Sequence, residues 1–231
     1  MLEDNTYYGC CACIGGAGIG VFLKSAVTCK DDVLTVNFFE TGSGEFEING
    51  VPVTLKIKTN YPVSGKIRID ILAASPVSFT LRVRSPKWSE QPSGYMLYTK
   101  TWHNDSVELD FAMPIKLHFP EHWDEDLVYI DGSKMTALSH TSSAQMVYHK
   151  PEDDDFFAVT RGPLTLAADD RLGKPANSVF VPTFNAKSVE VKDGSCFVKF
   201  EFFANENYTL IDYASAGKDW QSDIAAWIPT K

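Results

Sequence analysis

Apolar and polar residues alternate one for one along residues 66–72, where Ile67, Ile69 and Ile71 take one side and Lys66, Arg68 and Asp70 the other. Residues 77–84 repeat the pattern, with Phe79, Leu81 and Val83 opposite Thr80, Arg82 and Arg84. A period of two puts successive side chains on opposite faces of a strand, so both segments predict sheet with one buried and one wet face. Further strands are predicted at residues 33–40, 45–48, 51–58, 95–102, 106–111 and 115–119, the last closing a first set. Asn49-Gly50 is a pair favoured in two-residue type I′ hairpin turns. Residues 41–44 and 61–65 predict turns, and His103-Asn104-Asp105 a joint between two strands.

The pattern weakens after residue 120. Strands are predicted at residues 127–130, 156–160, 164–168, 188–191, 196–203 and 208–212, with a turn at Asp193-Gly194. Residues 169–178 predict a charged loop, and 219–227 a tail anchored by Trp220 and Trp227. The period changes only near the start, where Ile14, Ala17, Gly18, Val21, Phe22 and Ser25 recur at helical spacing. That helix holds Gly15, Gly16, Gly18 and Gly20, each costing up to about 1 kcal/mol against alanine, so it is expected to need a close-packed neighbour. The chain is therefore mainly β: an antiparallel β-sandwich with a short N-terminal helix and a second, smaller β-region. The expected division is 1–30 for the helix, 31–120 for the sandwich and 121–231 for the second region.

The chain has 231 residues and a formal net charge of −9, from 21 basic and 30 acidic side chains. Such a balance argues against nucleic acid and anionic membrane surfaces, which select clustered Lys and Arg. It leaves a glycan as a compatible partner. No apolar run approaches the roughly 20 residues that span a bilayer. Three of the five cysteines, Cys10, Cys11 and Cys13, crowd into four residues before the glycine-rich helix. That clustering favours a metal or a reducing compartment such as the cytoplasm over a disulfide framework. Thiolates are soft ligands suited to zinc, although the spacing is not that of a zinc finger, and buried apolar cysteines are an equal reading. The histidines show no metal-binding spacing. Trp88 and Trp123 are candidate glycan contacts, with packing in the sandwich as the other reading.

Several short motifs fall in one order along the chain. They are Tyr8-Gly9-Cys10-Cys11, then Asp32-Val33-Leu34-Thr35-Val36-Asn37-Phe38-Phe39, then Asn60-Tyr61-Pro62-Val63-Ser64-Gly65. Leu81-Arg82-Val83-Arg84-Ser85-Pro86-Lys87-Trp88, the pair Gly94-Tyr95 with Trp102, Arg161-Gly162-Pro163-Leu164 and the ending from Tyr213 to Trp227 follow. This order resembles the C-terminal portion of the cysteine–zinc β-L-arabinofuranosidase family of glycoside hydrolases. The resemblance implies Cys10 as nucleophile and Cys10 and Cys11 as zinc ligands; the clustering alone makes Cys13 a candidate substitute ligand. It implies zinc in the complete family enzyme. It departs from the family after the cysteine pair, where Ala12-Cys13-Ile14 stands in place of a proline–x–asparagine triplet. The catalytic α-helical barrel and its further ligands have no counterpart in this chain, so the expected function is a supporting β-sandwich portion, inactive by itself. The other readings are a carbohydrate-binding or assembly module, and a helix that self-associates or docks on a catalytic barrel.

Overall fold

The computed structural model describes residues 9–89, 94–119, 156–176, 178, 186–201, 207–218 and 222–229. The chain divides into two units, Met1–Met113 and Pro114–Lys231. Two antiparallel-rich sheets carry most of the described residues, as the alternating pattern implies. The predicted strand at 127–130 and tail anchor Trp220 lie outside the described residues.

Unit 1 begins with helix α1 (Gly9–Ser25) and continues as a six-stranded sheet. Its strands are β1 (Val27–Lys30), β2 (Val33–Val36), β3 (Gly42–Ile48), β4 (Val51–Thr59), β5 (Lys66–Ser85) and β6 (Gly94–Asp110). Asp31 and Asp32 turn β1 into β2 with φ of 48° and 58°, a left-handed conformation that aspartate tolerates better than most residues. Asn49 and Gly50 turn β3 into β4 with φ of 51° and 73°, the type I′ geometry the pair predicts. The turn expected at 41–44 is overturned: Gly42, Ser43 and Gly44 belong to β3 and pair with Ile57, Lys56 and Leu55. Thr41 extends that pairing through its hydroxyl, which donates to the Thr59 carbonyl and accepts from the Thr59 amide. Partner hydrogen bonds override the local preference of glycine here.

The segments read as four strands are two. Residues 66–85 form one strand and 94–110 another, and they pair along their length from Lys66–Asp110 to Ser85–Gly94. Between Leu72, opposite Asn104, and Val77, opposite Trp102, residues 73–76 face only His103. Such an excess on one strand bends and twists the pair, which is how one strand passes from one layer to another. One edge of β5 is shared accordingly. Val53–Thr59 of β4 pairs antiparallel with residues 67–73, while β2 pairs parallel with Thr80–Val83. This parallel pair is an exception to the antiparallel reading.

Ile67, Ile69 and Ile71 from one half of the ribbon share a single buried cluster with Phe79, Leu81 and Val83 from the other. All six are the residues that the alternation assigns to the core. Trp102, fully buried, lies with its ring 5.5 Å from Phe79 and donates its indole N–H to the Phe79 carbonyl at 3.0 Å. Trp102→Phe keeps an aromatic ring but leaves that carbonyl without its indole donor. We expect a loss of about 1–3 kcal/mol, measured by denaturant unfolding; a change within error would show the bond to be dispensable.

Helix α1 runs out from this sheet. Of its apolar stripe, Phe22 meets Phe38 with ring centroids 4.9 Å apart, and the Ser25 carbonyl accepts from Asn37 Nδ2 at 2.8 Å. Ile14, Ile19, Val21 and Leu23 are exposed. A Cβ added at Gly15, Gly16, Gly18 or Gly20 would meet nothing within 4 Å. The expected close-packed neighbour is thus not among the described residues. No helix of the described residues is long and apolar enough to cross a membrane.

Unit 2 holds an eight-stranded sheet of β7 (Ile115–His118), β8 (Phe156–Arg161), β9 (Leu164–Asp169), β10 (Ala186–Lys192), β11 (Ser195–Glu201), β12 (Asn207–Asp212), β13 (Ile224–Ala225) and β14 (Trp227–Pro229). Strand β7 pairs with β8 instead of closing the first set, and the His118 ring sits 2.8 Å from the Thr160 hydroxyl. Gly162 turns β8 into β9 with φ 53°, so Arg161-Gly162-Pro163-Leu164 is a hairpin corner. Asp193-Gly194 turns β10 into β11 as predicted, with φ of 52° and 78°. The tail joins the sheet as β14, but Trp227 is half exposed and Ile228, fully buried, is its anchor.

Candidate functional site

Cys10 and Cys11 are the second and third residues of α1, and their side chains lie outside the described residues, as does Trp123. Cys13 is exposed on the same helix with a free thiol. Cys29, on β1, is also exposed and free, and Cys196 is buried in unit 2. Burial, followed by the charge of Asp32, pushes the Cys29 thiol upward, away from the reactive thiolate. Among the described residues no three His, Cys, Asp or Glu side chains converge on a point that would hold a metal ion. The described residues therefore do not assemble a zinc site, and no chemical step is derived through zinc.

Trp88 does lie in a concave place. A groove of about 360 Å³ opens in unit 1 where the C-terminal turn of α1 meets the loops after β2, β4 and β5. Its apolar wall is aromatic. Tyr61 and Trp88 stand at 21° to one another with centroids 6.3 Å apart, and Phe111 meets the Trp88 ring edge-on at 6.1 Å. Phe38 faces the Arg84 guanidinium at 5.8 Å. Glu40, Arg84 and Lys87 are exposed at the rim. Burial raises the Tyr61 phenol above its ordinary value, with the Trp88 side chain and the Arg84 charge acting against it. Tyr61 is therefore a neutral donor and acceptor at any ordinary pH. Asn37 also lines the groove, but its amide is spent: Oδ1 accepts from the Tyr95 hydroxyl at 2.8 Å while Nδ2 holds α1. These bonds fix where the helix leaves the sheet. The tryptophan was legible in the sequence; Tyr61 and Arg84 were not, because only the fold brings their loop and strand together.

Among the described residues of unit 2, Asp169 and Asp212 are buried carboxylates. The sequence places the first in a charged loop, but it ends β9. Asp169 accepts from the Arg171 backbone amide at 3.0 Å, from Arg171 Nε at 2.9 Å, from Arg171 Nη2, and from the Gly217 amide at 2.9 Å. Arg171 Nη2 also donates to the Ser215 carbonyl. Asp212 accepts from the Cys196 amide at 2.8 Å and the Ser215 amide at 3.1 Å. Glycoside hydrolysis ordinarily uses two carboxyl groups flanking a bond. These two instead hold the turn after β12, satisfying backbone donors that burial would leave costly. The Tyr213–Gly217 part of the ending motif is this clamped turn, with Gly217 at φ 61°.

Residues 33–96 match the model described as Beta-L-arabinofuranosidase, GH127 middle domain. Over these residues unit 1 is similar to a GH127 middle domain. The matched stretch starts at β2 and ends in the first residues of β6, so it contains Phe38, Glu40, Tyr61, Arg84, Lys87 and Trp88 of the groove. Solved structures share the fold over more of the chain. A GH127 beta-L-arabinofuranosidase from Geobacillus stearothermophilus T6 is 19% identical with a TM-score of 0.62, over 93% of this chain and 36% of that one. A second GH127 beta-arabinofuranosidase is 18% identical with a TM-score of 0.59, over 89% of this chain and 36% of its own. A protein described as a glycoside hydrolase is 16% identical with a TM-score of 0.64, over 99% of this chain and 43% of its own. The chain thus spans well under half the length of these structures. No curated protein matches it.

Proposed function

We propose that this chain is the β-sandwich portion of a glycoside hydrolase acting on β-L-arabinofuranosides or related glycans, and that it does not turn over substrate by itself. The observation that carries the reading is where the family match falls. It covers 33–96, the strands and loops of the middle domain, and not the cysteines of α1. The groove in that domain offers one carboxylate, Glu40, where hydrolysis ordinarily needs two groups in defined relation. In this reading Cys10 is the nucleophile of the full site and Cys10 and Cys11 its metal-binding pair, with Cys13 as a substitute ligand. The sandwich supports that site and shapes the approach to it.

The test is hydrolysis of a chromogenic β-L-arabinofuranoside by the purified chain, with and without added zinc, beside Cys10→Ala. Equal, background release by both proteins is the expected result. Turnover by the parent chain that disappears in Cys10→Ala would show a complete catalytic site and overturn the supporting role.

A further inference from the structure

We propose that the groove of unit 1 binds a uronic acid residue of a glycan, with Trp88 and Tyr61 against the sugar ring and Arg84 and Lys87 on its carboxylate. The volume, about 360 Å³, lies within the range of small-ligand pockets, roughly 300–1,000 Å³, and the lining joins aromatic rings to a few polar groups as such pockets do. Its polar groups define the ligand. Arg84 makes no ion pair with a described carboxylate; its guanidinium lies over the face of Phe38 and its charge acts on the Tyr61 phenol. Its planar fork of donors matches a carboxylate in two parallel bonds, and Lys87 adds a second positive charge on the same rim. Glu40 opposes them with one negative charge, leaving a local excess of one cation in a chain whose net charge is −9. Glu40 also suits sugar hydroxyls, which are donors. Tyr61, neutral and half-buried, supplies a ring and a hydroxyl side by side. A fully neutral sugar would use the rings and Glu40 but leave both cations idle. A phosphate or other small anion would use the cations and leave the rings idle. An acidic sugar uses all of them. The inference does not depend on Cys10 or on hydrolysis, so its failure and that of the proposed function are read by different assays.

The experiment titrates the whole chain by calorimetry with galacturonate oligomers and, separately, with neutral arabino-oligosaccharides. The expected result is binding of the acidic oligomer about tenfold or more tighter than the neutral one, weakening as salt is raised. Arg84→Gln should reduce that binding about tenfold while leaving the neutral oligomer unchanged. Its side chain is exposed, so the variant is expected to melt with the parent. Trp88→Ala should weaken both ligands, but Trp88 also packs on Phe111, so the arginine variant carries the decision. Equal affinity for the two oligomers, an Arg84→Gln variant that binds like the parent, or no heat with either ligand overturns the proposal.

Discussion

Asparagine in place of Asp169 is expected to cost unit 2 about 1–3 kcal/mol of stability. The carboxylate is 1% exposed and gathers the Arg171 guanidinium, the Arg171 amide and the Gly217 amide. Asparagine keeps one oxygen and replaces the other with an NH₂ group that would face donors. The Arg171 guanidinium, about a third exposed, can turn to water, so the cost falls mainly on the buried amide donors left facing that NH₂ group. The bonds from Arg171, with those from the backbone amides, hold the Asp169 carboxyl well below the usual carboxylate range, against the opposing effect of burial. Its folded value is therefore lower than its unfolded one, near about 4. The stabilisation is complete above that unfolded value and is lost as pH falls from there through the folded value. Thermal melts of the parent and Asp169→Asn should differ most near neutrality and converge as pH drops below about 4. Parallel curves at every pH would show that the charge of Asp169 contributes nothing.

Gly65→Ala is expected to be at least as damaging to unit 1, by about 3 kcal/mol or more. A Cβ at that position would stand 1.9 Å from the Phe111 carbonyl oxygen and 2.8 Å from its carbon. Both are backbone atoms, so no side-chain rotation relieves the overlap. The same two residues are tied by a bond from the Phe111 amide to the Gly65 carbonyl at 3.0 Å. Separating them would pull the start of β5 from the end of β6. Gly42→Ala is the control, because a Cβ there meets nothing within 4 Å. Circular dichroism melts should show Gly42→Ala close to the parent and Gly65→Ala far below it. If the two melt together, the chain absorbs the overlap and the close approach is not a constraint.

The parts of this fold that the sequence displays are those written in short-range pattern. The alternation of Ile67, Ile69 and Ile71 and of Phe79, Leu81 and Val83 gives the buried face without error, and Asn49-Gly50 gives its turn. What does not show is written in pairing at a distance. Residues 73–76 break the alternation, so one strand reads as two; its continuity comes from the partner strand on the far side of His103. The parallel contact of β2 with β5 has no local signature at all. Asp169-Asp170-Arg171 looks like solvated charge, because nothing nearby in sequence announces that Gly217 and Ser215 will arrive to share it. The groove was half legible for the same reason: Trp88 is conspicuous by its size, but Tyr61 and Arg84 acquire meaning only beside it.

The bent β5–β6 ribbon gives unit 1 a mechanical property. Strands β5 and β6 run through the whole six-stranded sheet, with β4 on one half of β5 and β2 on the other, so no linker separates the two halves. The β5–β6 register breaks at residues 73–76 but both strands run on through it, so strain applied to one half is passed along them into the other. The groove loops beside Trp88 leave β5 where it ends, so anything gripping that groove pulls on the spine of the whole unit.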